Sequence, residues 1–425
     1  MSIKVKYIYS ACIITETPDV RILHDPWFTD GIYDGSWYQF PKVRRPLDSI
    51  GNVDLIYVSH IHPDHYDPIF LKKYFKKFGS KEILISDHNP NFLEKKMLGD
   101  GFKPTVIKEP LNINNTVVDI VPHKTGSLSD IDSAIFVKYL DNEKVHTVLN
   151  INDIVIDEGI LSSLEGKLDD VDIFLCTYTG AGPYPQTYFA KNSSNLKKEA
   201  QKKKEQFFKR YKKITKHVNA KVNIPFAGKY LLGGKLSDLN EFRGVADATE
   251  ILKLDKNALV LSDDGGTIST DSLETKQSRK KPYSKTSLNK RILEISKYPM
   301  SYEKLFSKSE IKQLPLKRLL VSASDKALQK SEVDSDYYFC INLFCNEFAV
   351  INANKHKKEK IKFVTNYSDL PGPKSIIKID ERYLFGLLTH VYHWNNAEVG
   401  SQFSVKRVPN VNNPKAQNFL NFLTI

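Results

Sequence analysis

Cysteine is scarce in this chain: four in 425 residues, Cys12, Cys176, Cys340 and Cys345, with no C-x-x-C pair. That argues against a disulfide-stapled secreted scaffold or a cysteine zinc site, and a reduced cytoplasmic setting is expected. No apolar run approaches the ~18 residues that a membrane span requires. The opening Met1-Ser2-Ile3-Lys4-Val5-Lys6-Tyr7 alternates like a strand and lacks the apolar core of a signal peptide, so neither a span nor a leader is expected. Acidic residues are outnumbered, 50 against 62 Lys and Arg, which leaves a formal charge of +12. Hydrophobic content of 41% and charged content of 26% are ordinary for a globular protein and argue against disorder as the main state. A chain of 425 residues is too long for one ordinary core, so two domains are expected.

Much of the excess positive charge lies in 197–216, where Lys202-Lys203-Lys204, Lys209-Arg210 and Lys212-Lys213 crowd together. Phe207, Tyr211, Ile214 and Val218 recur there at helical spacing, so the lysines read as the solvated face of an amphipathic helix. The basic side has no interleaved aromatics of the kind that single-strand binding uses, and a nucleic-acid partner is not expected.

The first ~150 residues read as short strands with few helices. Lys4 to Tyr9, Ala11 to Thr15, Val20 to His24 and Asp54 to Val58 alternate or run apolar, and Pro68 to Phe78 carries a helical pattern. Further strands are predicted at Glu82 to Ser86, Val117 to Val121, Ala134 to Tyr139, Val145 to Ile151, Val171 to Cys176, Lys221 to Pro225 and Ala258 to Ser262. Hairpins dominate the start, which favours a two-sheet sandwich with helices outside over a doubly wound parallel sheet. The expected class is therefore α/β, an αββα sandwich over 1–270. A Ser/Thr/Lys-rich linker or exposed excursion follows at 271–288, then a smaller C-terminal α/β unit at 289–425.

The densest chemistry is Ser59-His60-Ile61-His62-Pro63-Asp64-His65, directly after the apolar strand Leu55-Ile56-Tyr57-Val58. Three imidazoles and a carboxylate in six positions would be a poor way to build a core. Neutral imidazole nitrogens suit zinc and iron, and residues beyond a strand end can face a metal. Residues 60–65 are read as a metal site.

His-x-His-x-Asp-His after a strand resembles the metallo-β-lactamase fold superfamily, and the order of elements is similar as well. The resemblance implies a third histidine at His123, in Val121-Pro122-His123-Lys124-Thr125-Gly126-Ser127, and a bridging acid at Asp153. It implies that His60, His62 and His123 hold one metal, with Asp64, His65 and Asp153 contributing to a second. A last histidine, usual after a late strand, is missing from Val222 to Tyr230, so one ion, or a second weakly held, is expected rather than a full binuclear centre.

Pro225-Phe226-Ala227-Gly228, the stretch Thr179 to Thr187 and Asp25-Pro26-Trp27-Phe28 are similar to the metallo-β-lactamase-like portion of the CMP-N-acetylneuraminate hydroxylases, over roughly Tyr7 to Asp247. Those enzymes also carry a Rieske domain with Cys-x-His and Cys-x-x-His ligands, and no cysteine here is followed by histidine at either spacing. A Rieske domain is therefore not expected.

The expected activity is metal-dependent hydrolysis, with zinc (one or two ions) and Asp64 orienting the water and accepting its proton. The expected substrate is an ester, amide, lactone or phosphoester of a small anion, sugar- or nucleotide-linked. Gly180 and Gly182, with Gly228, allow close backbone approach, Tyr184 can stack on a ring, and Lys229 can meet an anion. The alternatives are an iron-binding oxygenase component served by a separate redox partner, and a binding module with a degenerate site.

Overall fold

The computed structural model describes residues 1–125, 130–142, 144–154, 158–164, 166–357 and 361–425. Its N-terminal part is built on two facing sheets. The first has eight strands, in the order Thr275–Lys276, Gly266–Ser269, Lys4–Tyr9, Cys12–Glu16, Arg21–His24, Leu55–Tyr57, Glu82–Ser86 and Pro104–Ile107. It opens as antiparallel hairpins and turns parallel from Arg21–His24 onwards, with His24 opposite Tyr57. The second has six strands. Leu111–Ile113, Thr116–Pro122, Ser133–Asp141 and Lys144–Asn150 form a meander, then Ile173–Thr177 and Val222–Phe226 add in parallel.

Burial on both faces explains why the parallel strands read as continuous apolar runs rather than alternating ones. Leu55, Ile56 and Tyr57 are all buried. Ile13, Ile22 and Tyr57 from the first sheet pack on Ile135, Val148 and Ile224 from the second. The helices Pro68–Phe78 and Phe92–Gly99 cover the first sheet's outer face. The helices Glu158–Leu164 and Ser194–Val218 cover the second. These four layers are the expected αββα sandwich. Ala258 to Ser262 departs from expectation: it makes only isolated bridges, Asn223 with Ala258 and Leu261 with Ser278, because its backbone pairing is split between the start of Val222–Phe226 and the segment 277–279.

The C-terminal part has its own five-stranded sheet, in the order Ile361–Val364, Phe348–Asn352, Tyr338–Asn342, Lys374–Lys378 and Ser404–Val408. Helices Leu316–Gln329, Glu381–Leu388 and Pro414–Asn421 cover one face. That core is continuous with Trp27, Tyr33, Trp37 and Tyr230 of the sandwich. Polar contacts help to close the seam. Gln402 Nε2 donates to the Tyr33 carbonyl at 2.7 Å, Tyr383 OH to Asp34 at 2.6 Å and Ser36 Oγ to the Gly400 carbonyl. The segment 271–288 joins the two parts, carries the edge strand Thr275–Lys276, and begins the helix Lys285–Ile295.

Candidate metal centre

The strand Leu55–Tyr57 is central in its sheet, and Val58 still donates to the Leu84 carbonyl, so the chain leaves the sheet with little freedom. The turn that follows is pinned at both ends. His65 N and Tyr66 N both donate to the His62 carbonyl, and Asp67 caps the next helix by accepting from Phe70 N at 2.9 Å. Asp67 also accepts from Phe28 N, Thr29 N and Thr29 Oγ1, which ties the 28–29 loop beneath the turn.

On this frame His60, His65 and Asp153 each offer a ligand atom within 4.8 Å of the other two. His65 Nε2 lies 3.4 Å from Asp153 Oδ2 and 3.6 Å from Asp64 Oδ2. His62 joins through His60, with Nδ1 2.9 Å from His60 Nε2. His123 follows the strand Thr116–Pro122, and its backbone N donates to the Asp132 carbonyl at 2.9 Å. The tightest grouping thus cuts across the expected division into two ligand sets, joining His60 of one to His65 and Asp153 of the other. Gly126 and Ser127, part of the motif that pointed to His123, lie outside the described residues.

Residues not expected from the sequence to take part in the metal site hold this cluster in place. Asp25, fully buried at the end of the strand Arg21–His24, lies 2.9 Å from His65 Nδ1 and accepts from Ser59 N and Ser59 Oγ. A carboxylate on the far nitrogen fixes the ring and leaves Nε2 facing the cluster. Tyr33 OH donates to Asp64 Oδ1 at 2.7 Å, and Asp132 Oδ1 stands 3.6 Å from His60 Nδ1. Asp25 ends a strand before a proline, a weak turn signal, whereas nothing in the sequence around Asp132 or Tyr33 marks them.

The electrostatics of the cluster suit a cation. Burial pulls the His60 pKa well below its ordinary value, so the ring is a neutral donor. Burial also opposes a charge on His65, but Asp153, Asp25 and Asp64 together outweigh it and hold its pKa well above the usual value. For Asp153, burial works upward and His65 and His62 prevail downward. Asp25 and Asp132 are both raised by burial. Among the described residues no lysine or arginine pairs with Asp25, Asp64, Asp132 or Asp153, and Asp153 Oδ1 is buried without a hydrogen-bond partner. Imidazoles and carboxylates converging on one point, with an orphaned oxygen among them, fit a divalent metal.

The residues expected to bind substrate are occupied otherwise. Lys229 is ion-paired to Asp263 inside a cage of Tyr7, Tyr9 and Tyr283, so its charge is already matched. A Cβ at Gly180 would stand 2.3 Å from the Phe207 ring, and one at Gly228 (φ +72°) would stand 2.7 Å from Thr179 Cγ2. Both glycines are required by packing. The Gly182 carbonyl accepts from Gln186 Nε2 and from Tyr230 OH, and Tyr184 OH donates to Glu199 at 2.6 Å. Trp37 is a core residue, stacked on Tyr230 at 3.7 Å and against Tyr33 at 4.5 Å. Through that aromatic ladder the 226–230 segment supports the Tyr33 hydroxyl, and so Asp64.

An αββα sandwich with a cluster of side chains that could hold a metal ion is the class that fold and site define. Residues 4–141 match the family model of the beta-lactamase superfamily domain. A protein of Mycolicibacterium smegmatis that carries the name of a Rieske 2Fe-2S iron-sulfur protein is 29% identical over 247 residues, 55% of this chain and 45% of its own length. The cytidine monophosphate-N-acetylneuraminic acid hydroxylase of Danio rerio is 24% identical over 249 residues, 54% of this chain and 38% of its own length. The match thus spans less than half the length of these curated relatives. Among solved structures, a metallo hydrolase of Ignicoccus hospitalis is 15% identical, covering 63% of this chain and 98% of its own, with a TM-score of 0.41. A diiron β-hydroxylase of Streptomyces venezuelae is also 15% identical, covering 58% and 47%, with a TM-score of 0.36. Among the described residues no helix is long and apolar enough to cross a membrane.

Proposed function

We propose that this chain is a metal-dependent hydrolase, with one or two ions held by His60, His65 and Asp153 and completed by His62, Asp64 and His123. The observation that carries this reading is the cluster of four carboxylates and convergent imidazoles that no lysine or arginine neutralises among the described residues. The chemistry such a cation supplies is a water of lowered pKa and a polarised carbonyl or phosphoryl oxygen. Asp64, with Oδ1 fixed by Tyr33, has Oδ2 on the His65 side to orient the attacking water and take its proton. Asp25 keeps the His65 ring in register.

The test is elemental analysis of protein purified without chelator, with hydrolysis of p-nitrophenyl acetate and bis(p-nitrophenyl) phosphate measured beside it. Zinc near one equivalent, and turnover lost at least a hundredfold in Asp153→Asn with the fold intact, is the expected result. Protein that takes up no metal, or an Asp153→Asn variant as active as the parent, would overturn it.

A second reading draws on the relatives named as hydroxylases and Rieske proteins. In it the same residues hold iron, and the chain is an oxygenase component that takes electrons from a separate donor. It expects iron in the purified protein and oxygen consumption that depends on added reductant, with no hydrolysis of either ester.

A further inference from the structure

The basic helix Ser194–Val218 neutralises its lysines unevenly. In its first half Lys202 pairs with Glu199 and Lys204 with Glu250, while Lys203 is buried and donates to the Tyr184 and Arg243 carbonyls. Beyond Glu205 the helix has no acid at all, and Arg210, Lys213 and Lys216 form no ion pair among the described residues. Lys216 and His217 can be accounted for by the partial negative charge of the helix C-terminus, but Arg210 and Lys213 lie too far inside it. These unpaired cations line one side of a cavity of about 400 Å³, within the range of small-molecule sites.

The cavity's other walls show what it could hold. Ile151, Ile154, Leu161, Phe207 and Ile214 make most of its surface apolar, and among the described residues Thr177 and Asp153 are its polar groups away from the helix. Asp153 is also the acid beside His65, so the cavity abuts the metal cluster. Helical geometry separates the two linings cleanly. Phe207 and Ile214 fall along one line of the helix, and Arg210, Lys213 and His217 along the next. Arg210 lies against the Phe207 ring at 5.2 Å, so the boundary between apolar wall and charged rim is sharp. A sugar would need hydrogen-bonding groups along the walls, and among the described residues these are few.

We propose that this cavity binds an amphipathic anion, a phosphate or carboxylate head on an acyl- or aryl-type body. The head meets Arg210 and Lys213 and the body lies along Phe207, Ile214 and Ile154. That such a molecule is the substrate rests on the metal-centre reading, because it is Asp153 that joins the cavity to the cluster.

Titration calorimetry on the full chain tests it with four probes: octyl phosphate, octanoate, 1-octanol and inorganic phosphate. At least one octyl anion should bind tenfold or more tightly than both 1-octanol and inorganic phosphate. Arg210→Glu with Lys213→Glu should weaken that anion at least tenfold with metal content unchanged. Lys276→Glu with Lys297→Glu, the same charge change on exposed residues elsewhere, should leave it alone. Inorganic phosphate or 1-octanol binding as tightly as the octyl anions, or equal binding by the Arg210/Lys213 variant, would overturn the proposal. A chain that binds octyl phosphate as described but takes up no metal would sink the enzyme reading and leave the cavity assignment standing.

Discussion

The cluster around His65 and the one around Lys229 are both buried and both charged, but only one is balanced. Around Lys229, two cations meet two carboxylates: Lys229 pairs with Asp263 and Arg279 with Asp247 at 3.3 Å. Tyr283 donates to Asp263 and lies under Arg279 at 4.0 Å, which completes the cage. Around His65, Asp25, Asp64, Asp132 and Asp153 gather with imidazoles alone. Burying charge is costly unless it is paired, so a matched cluster can be purely structural while an unmatched one needs a ligand. Lys229 looked like a binding residue in the sequence because its partner lies 34 positions away.

The comparison breaks most readily at Asp263. Asp263→Ala strands a buried lysine and should cost about 3–5 kcal/mol in a denaturant titration, with metal content untouched. A loss below about 1 kcal/mol would mean that Lys229 reaches water and that the cage is not closed. At the other cluster the cost should be smaller. Asp153 is offset only by imidazoles, so Asp153→Asn in the metal-free protein should lose less stability than Asp263→Ala does. A parent held at a hundredfold excess of metal over Kd should lose about 2.7 kcal/mol when a chelator strips it, and the variant much less. Thermal melts with and without chelator read both. A smaller effect belongs to Asp25→Asn, which weakens the orientation of His65 without deleting a direct ligand. Metal affinity should fall about 10- to 100-fold, measured by competition with a chromophoric chelator.

The sequence showed the donors far better than it showed what holds them. His60, His62, Asp64 and His65 are legible because they are contiguous, and the helix Pro68–Phe78 because its apolar residues repeat at helical spacing. Asp25, Asp132 and Tyr33 are not, since each acts across 31 to 72 positions of chain through a single contact. The sandwich was readable from alternating and apolar strands, whereas short pieces such as Trp37–Tyr38 have too few residues to show a period. The glycines of the 180 and 228 loops misled for a related reason. Glycine signals close approach but not what approaches, and here it is Phe207 and Thr179.

The finest test falls between the two parts, at Asp34, which accepts from Tyr383 and adjoins the tyrosine that holds Asp64. Burial raises its carboxyl pKa to about 6, with the Tyr383 hydrogen bond pulling partly the other way. In the unfolded chain the same group titrates near 3.8. Between those values the folded state keeps a proton that the unfolded state has released. The stability this proton provides is complete below about pH 4 and is lost as pH rises through about 6. Two pK units correspond to about 3 kcal/mol at most, and a partly exposed group should show about 1–2 kcal/mol of it. Asp34→Asn keeps the left-handed backbone (φ 62°) that asparagine also tolerates, and its amide oxygen can still accept from Tyr383. The variant should match the parent at pH 4 and exceed it at pH 7.5. Because Asp34 is held by the C-terminal part and not by the metal cluster, the difference should persist with metal bound or stripped. Parallel pH curves for parent and variant would show that Asp34 stays ionised through contact with water, and a difference that vanishes on adding metal would place it within the cluster's field.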